Sequence, residues 1–64
     1  MTPDDTILPT LVGLPVDEAE RRATDAGWRV RVLGPGAMAT MDHRTDRANL
    51  EHDETGTVVR AYQG

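Results

Sequence analysis

Few residues of this chain have the type and spacing to do chemistry. His43 and His52 stand nine residues apart, with Asp42, Asp46 and Asp53 close by. A loose metal site can be drawn from them, but the spacing is not that of a zinc site, and no metal or other cofactor is expected. Thr40 lies three residues before His43, and the chain has neither Ser nor Cys. A hydroxyl and an imidazole on an open stretch have no wall to exclude water, so no nucleophile–base pair is read here. His52 reads as a half-buried histidine at a strand end. His43 reads as an exposed loop side chain or as a contact for a partner.

The more telling residues are apolar and cationic. Gly34 to Asp46 runs Gly-Pro-Gly-Ala-Met-Ala-Thr-Met-Asp-His-Arg-Thr-Asp, thirteen residues without a core pattern. A connection this long in a small domain is either disordered or functional. Met38 and Met41 favour function, because a plain linker has no need of exposed apolar side chains. Met41 is either stray apolar surface or an anchor for another protein's pocket. Arg44 and Arg47 are either ordinary solvated charges or braces beneath the loop.

Four elements must position that loop. Met1–Thr6 is polar and expected to be loose. Ile7–Val12 is a short apolar arm, expected as an irregular segment or an edge strand because Pro9 cannot donate to a ladder. Pro15 signals a helix start, and Asp17 and Glu18 suit the positive end of its dipole. Val16, Ala19, Ala23 and Ala26 form one helical stripe, and Gly27 supplies the left-handed stop, so the spacing predicts a helix near Pro15–Ala26. Trp28–Leu33 alternates through Val32 and reads as a strand with one buried face. Arg47–Asp53 alternates too, with Ala48, Leu50 and His52 on one face and Arg47, Asn49 and Glu51 on the other. Asp53–Gly56 is a turn, and Thr57–Tyr62 should complete an antiparallel hairpin. The long connection can carry the chain across to a parallel partner strand.

Length and charge bound the rest. Sixty-four residues make a single domain, 1–64, that buries only about 60% of the surface its unfolded chain exposes. That leaves no room for a deep catalytic cavity, so any function belongs on an exposed loop or face. Seven Arg, no Lys and eleven acidic residues give a net charge of −4. An acidic chain without a basic run argues against nucleic acid and against anionic membranes. No apolar stretch is long enough to span a membrane. No signal peptide is visible, so the chain is cytoplasmic at face value, and secreted if a signal has been removed.

Several of these residues together resemble the potato inhibitor I family of serine-protease inhibitors, to which seed chymotrypsin inhibitors and leech eglin belong. They are Leu11-Val12-Gly13, Val16-Asp17-Glu18-Ala19, Thr40-Met41-Asp42-His43-Arg44-Thr45-Asp46-Arg47 and the final Gly64. The likeness is closer to the short bacterial and fungal elastase-inhibitor relatives. Their pattern Pro-Gly-x-x-x-Thr-Met-Asp-x-Arg-x-x-Arg-x-Asn is matched from Pro35 to Asn49. Asn49 stands where the plant members carry a second Arg, and Gln63 where the bacterial relatives often carry a Cys.

The resemblance implies an α+β fold, one helix packed on a small mixed β-sheet, with a long exposed reactive-site loop, 34–46, between two parallel strands. It implies a disulfide-free, monomeric, non-enzymatic inhibitor whose partners are serine proteases of the subtilisin, chymotrypsin or elastase type. The loop enters the protease as a substrate does, with Met41 before the scissile bond and Asp42 after it. Ala39 and Thr40 occupy the adjoining upstream subsites, Met38 the next, and His43 and Arg44 lie downstream. Arg47 and Asn49 are implied to support the loop from beneath, with Arg60 and Gly64 as further candidates. The alternative is a small interaction module that keeps this fold without inhibiting.

Overall fold

The structure, a computed structural model, describes residues 3–38 and 42–64. The chain starts differently from the sequence expectation. Asp5–Ile7 forms a 3₁₀ turn that runs directly into a short helix, α1, over Leu8–Leu11. The side chain of Asp4 caps the turn by accepting from the Thr6 amide at 3.0 Å. Pro9 sits in the first turn of α1, where a missing N–H costs nothing. Leu8 and Leu11 then share one helical face and are both buried. The arm therefore follows a period of three to four, not the period of two that an edge strand requires. Of the segment expected to be loose, Met1 and Thr2 lie outside the described residues. Asp4 also accepts, through its carbonyl, the indole N–H of the buried Trp28 at 3.0 Å.

Helix α2 covers Val16–Asp25, with Pro15 and Ala26 at its caps. Its buried face is Ala19 and Ala23, and these small side chains let it lie close over the sheet. Glu18 pairs with both Arg21 and Arg22 on the solvent side. The helix ends at Gly27, whose φ of 94° is the left-handed stop that glycine accepts without strain.

Three strands follow: β1 over Arg29–Leu33, β2 over Arg47–His52 and β3 over Val58–Gln63. The sheet order is β1-β2-β3. β1 and β2 are parallel, with Arg29 opposite Arg47 and Arg31 opposite Asn49. β2 and β3 are antiparallel, with Asn49 opposite Tyr62 and an irregularity between Glu51 and His52. Asp53 shapes the hairpin turn, its carboxylate accepting from the amides of Thr55 and Thr57 at 2.9 and 3.1 Å.

The core joins Leu8, Leu11, Ala19, Ala23, Trp28, Ala48, Leu50 and Val58, with Val30 packed against it. It reaches no further along β1: Val32, expected on the buried face, is 39% exposed, and Leu33 is buried outside the core cluster. The architecture is thus α+β, two short helices on a mixed sheet, with Gly34–Asp46 as the parallel crossover. A turn opens the crossover, with Pro35 at its second position and Gly36 at its third. The Ala37 amide closes it onto the Gly34 carbonyl at 3.0 Å. The φ of 77° at Gly36 is the geometry a type II turn demands there.

Candidate functional site

Ala48 and Leu50 point into the core, so period-two geometry turns Arg47 and Asn49 to the opposite face of β2. That face is not solvated. Asn49 is fully buried, and the side chain of Arg47 is only 12% exposed. Asp42 and Gly64 lie against Arg47, and Arg31 and Gly64 against Asn49.

Arg47 is the centre of the cluster. One terminal nitrogen meets the Asp42 carboxylate, Oδ2, at 3.1 Å, and the other donates to the Asp42 main-chain carbonyl at 2.7 Å. Its Nε donates to the Gly64 main-chain oxygen at 2.8 Å. A planar fork of five donors is suited to this, where a lysine ammonium would be a single point of charge. The Gly64 amide returns to the Arg47 carbonyl at 3.0 Å. Asn49 Nδ2 donates to the same Gly64 oxygen at 3.0 Å. Arg31, on β1, donates through Nε to Asn49 Oδ1 at 2.7 Å and reaches Asp42 Oδ1 at 3.5 Å.

The rest of the downstream limb is tied as well. Gln63 Nε2 donates to the Thr45 carbonyl at 2.6 Å. Asp46 accepts from the Arg29 amide at 2.8 Å through its carbonyl and pairs with the Arg29 side chain at 3.1 Å. Arg44 is exposed, and its carbonyl receives the Arg47 amide at 3.5 Å. His43 is exposed on the same limb, and Met38, on the upstream limb, is 88% exposed. Ala39, Thr40 and Met41, the remaining residues of the expected protease-contacting set, lie outside the described residues.

Arg60 stands apart from this cluster. It pairs with Glu51 at 3.5 Å and lies over the Tyr62 ring at 4.6 Å, on the sheet. Burial, and then the neighbouring Glu51 carboxylate, push the Tyr62 phenol above its ordinary value. His52 is half-buried at the end of β2, its Nδ1–H donating to the Asp53 carbonyl at 2.8 Å.

Sequence reasoning brought Arg47, Asn49 and Gly64 to this cluster and missed Arg31. The available signal was the alternation of β1, which sets Arg31 opposite in face to Val30. Gln63 is a further tie to the limb, and its sequence position marks only where a Cys often stands in the relatives.

Chemically, the cluster fixes a main-chain carbonyl and a carboxylate on one exposed segment by side chains rooted in two strands. Among the described residues no group of three or more acidic or histidine side chains could hold a metal ion, and no helix is long and apolar enough to cross a membrane.

A family model described as "Peptidase inhibitor I78 family" matches residues 4–64. The sequence motif had suggested potato inhibitor I. No curated protein matches the chain. Among solved structures, the fold is similar to bitter gourd trypsin inhibitor, with 30% identity and a TM-score of 0.80 over 89% of this chain and 88% of that one. It is also similar to the elastase inhibitor AFUEI, with 27% identity and a TM-score of 0.68 over 92% of this chain and 85% of that one.

Proposed function

The chain belongs to the peptidase inhibitor I78 family, and from that premise we propose that it inhibits serine proteases by offering Met41–Asp42 as a substrate-like bond. It is a protease inhibitor and not an enzyme. The observation that carries the finer reading is the double hold of Arg47 on Asp42, at carboxylate and carbonyl. Asp42 supplies the amine that leaves when the bond is cut. An amine that cannot drift away remains positioned to attack the acyl-enzyme and re-form the bond, so religation competes with hydrolysis.

On this reading the loop enters the protease cleft extended, adding backbone hydrogen bonds as a strand would. Met41 fills the main specificity pocket, Met38 to Thr40 line the upstream subsites, and His43 and Arg44 the downstream ones. Rigidity removes the ordering cost of association, which is how a standard interface of about 1,600 Å² becomes tight. The resemblance of Thr40–Arg47 to the potato inhibitor I pattern supports this assignment of the bond. Of the two neighbours, one is named for trypsin and the other for elastase. An unbranched, uncharged Met41 fits an apolar pocket, so elastase-, chymotrypsin- and subtilisin-like enzymes are the proposed targets.

The test is a panel of purified subtilisin, chymotrypsin, elastase and trypsin, followed by progress curves with increasing inhibitor. Inhibition of at least one enzyme with an apolar pocket is expected. A chain that slows none of the four would instead be a non-inhibitory interaction module.

A further inference from the structure

Asn49 is wholly buried on the loop-bearing face of β2, and its amide is hydrogen-bonded at both ends. The carbonyl oxygen takes Arg31 Nε at 2.7 Å, and the amide nitrogen gives to the Gly64 main-chain oxygen at 3.0 Å. Among the described residues neither end of it hydrogen-bonds to the crossover. Arg31 does: its guanidinium reaches Asp42 Oδ1 at 3.5 Å, while Arg47 holds Oδ2 at 3.1 Å. The parallel register sets Arg31 directly opposite Asn49, so the contact between them follows from strand pairing.

We propose that Arg31 is the second positioning residue of the reactive-site loop and that Asn49 acts through it. The inference rests on the reading of Asp42 as the residue after the reactive bond. A carboxylate gripped at one oxygen can still turn about its own side-chain bonds. Gripped at both oxygens from two different strands, it cannot turn without breaking a charged contact. The two arginine side chains are only 20% and 12% exposed, so each is partly stripped of water and gains from the Asp42 carboxylate. Departure of Asp42 breaks a charged contact to each of two guanidinium groups, which opposes release of the loop. Asn49 sets the Arg31 fork at the required angle and links it to the chain end, so that one buried amide couples β1, β2 and Gly64.

The experiment uses the full chain and reads loop order without any protease. Backbone amide order parameters of Asp42, His43 and Arg44 are measured in the wild type, Arg31→Met, Arg31→Lys, Asn49→Ala and the Arg31→Met/Asn49→Ala double variant. In Arg31→Met, which keeps the packing of the stem, they should fall from the rigid-backbone value of about 0.85 towards 0.6. Asn49→Ala should lower them similarly, and the double variant should be no looser than Arg31→Met alone. Arg31→Lys should recover part of the order, having the charge but not the Nε contact. With an inhibited protease, Arg31→Met should be cleaved roughly ten- to a hundredfold faster. Wild-type order in Arg31→Met, or losses that add fully in the double variant, would overturn the proposal. If the wild type inhibits no protease, the functional reading fails, while the order parameters still decide the role of Arg31.

Discussion

Arg47 holds Asp42 by two different groups at once, its carboxylate at 3.1 Å and its main-chain carbonyl at 2.7 Å. The first contact fixes the side chain and the second fixes the backbone that follows the proposed reactive bond. Arg47 also binds Gly64, so the loop, the central strand and the chain end meet on one guanidinium.

Arg47→Ala should therefore loosen the loop more than it unfolds the domain. A hydrogen bond to a charged group is worth about 1.5–3 kcal/mol, and each 1.4 kcal/mol is about a decade of affinity. Affinity should fall by roughly one to two decades, and the loop should be cleaved faster. Dissociation and cleavage rates with one protease, measured beside the thermal midpoint, check this. Both rates staying at wild-type values would remove the bracing role.

Met41→Arg should change the target and not the hold. A trypsin-type pocket carries a carboxylate that pairs with arginine, whereas an apolar pocket cannot desolvate it. The variant should gain inhibition of trypsin and lose inhibition of enzymes with apolar pockets. An unchanged profile across the panel would put the anchor elsewhere.

Gly64→Ala should disturb the cluster from its far side. A Cβ at Gly64 would lie 3.1 Å from Asn49 Nδ2, and that amide is pinned between Gly64 and Arg31. Crowding a buried, fixed group costs about 1–3 kcal/mol. The thermal midpoint should drop by about 4–8 °C for each kcal/mol in a domain of this size. A melting curve that overlays the wild type would mean that the cluster yields freely.

Much of this arrangement was legible in the residues themselves. The alanine spacing of α2 and the stop at Gly27 fixed that helix, and the alternation of Arg47–Asp53 turned Arg47 and Asn49 away from the core. The length of Gly34–Asp46 pointed to a parallel crossover. α1 was not legible, because Leu-Pro-Thr-Leu fits an irregular arm as readily as one helical turn, and the Asp4 cap that decides it is an exposed, ordinary residue. Arg31 was hidden for another reason. Alternation gives its face, but only the register Arg31–Asn49 gives its neighbour, and register is a property of two strands. Arg60 shows the converse: its place on the last strand suggested support, yet the pairing Glu51–Arg60 takes it to the sheet.

The hairpin turn predicts an acid-sensitive element. The Thr55 hydroxyl, then the Thr57 amide, hold the Asp53 carboxyl below its ordinary value of 3.8. Folding thus favours the charged form. Its contribution is complete above 3.8 and is lost as pH falls through the lower folded value. Asp53→Ala should lower the thermal midpoint at neutral pH, and its gap from the wild type should close as the solution is made acidic. A gap of constant size across that range would contradict the assignment.

The central claim is that the loop is a substrate held in place, and the most direct measurement is of the bond itself. The chain is incubated for a long period with a protease it inhibits, and the products are weighed by mass spectrometry while residual inhibition is followed. The account predicts slow, limited cutting between Met41 and Asp42, with the two pieces kept together by the β1–β2 pairing and by Arg31, Asp42 still held by Arg47, and the nicked chain still inhibiting. Rapid cutting at other bonds, with inhibition lost as the chain is consumed, would contradict it.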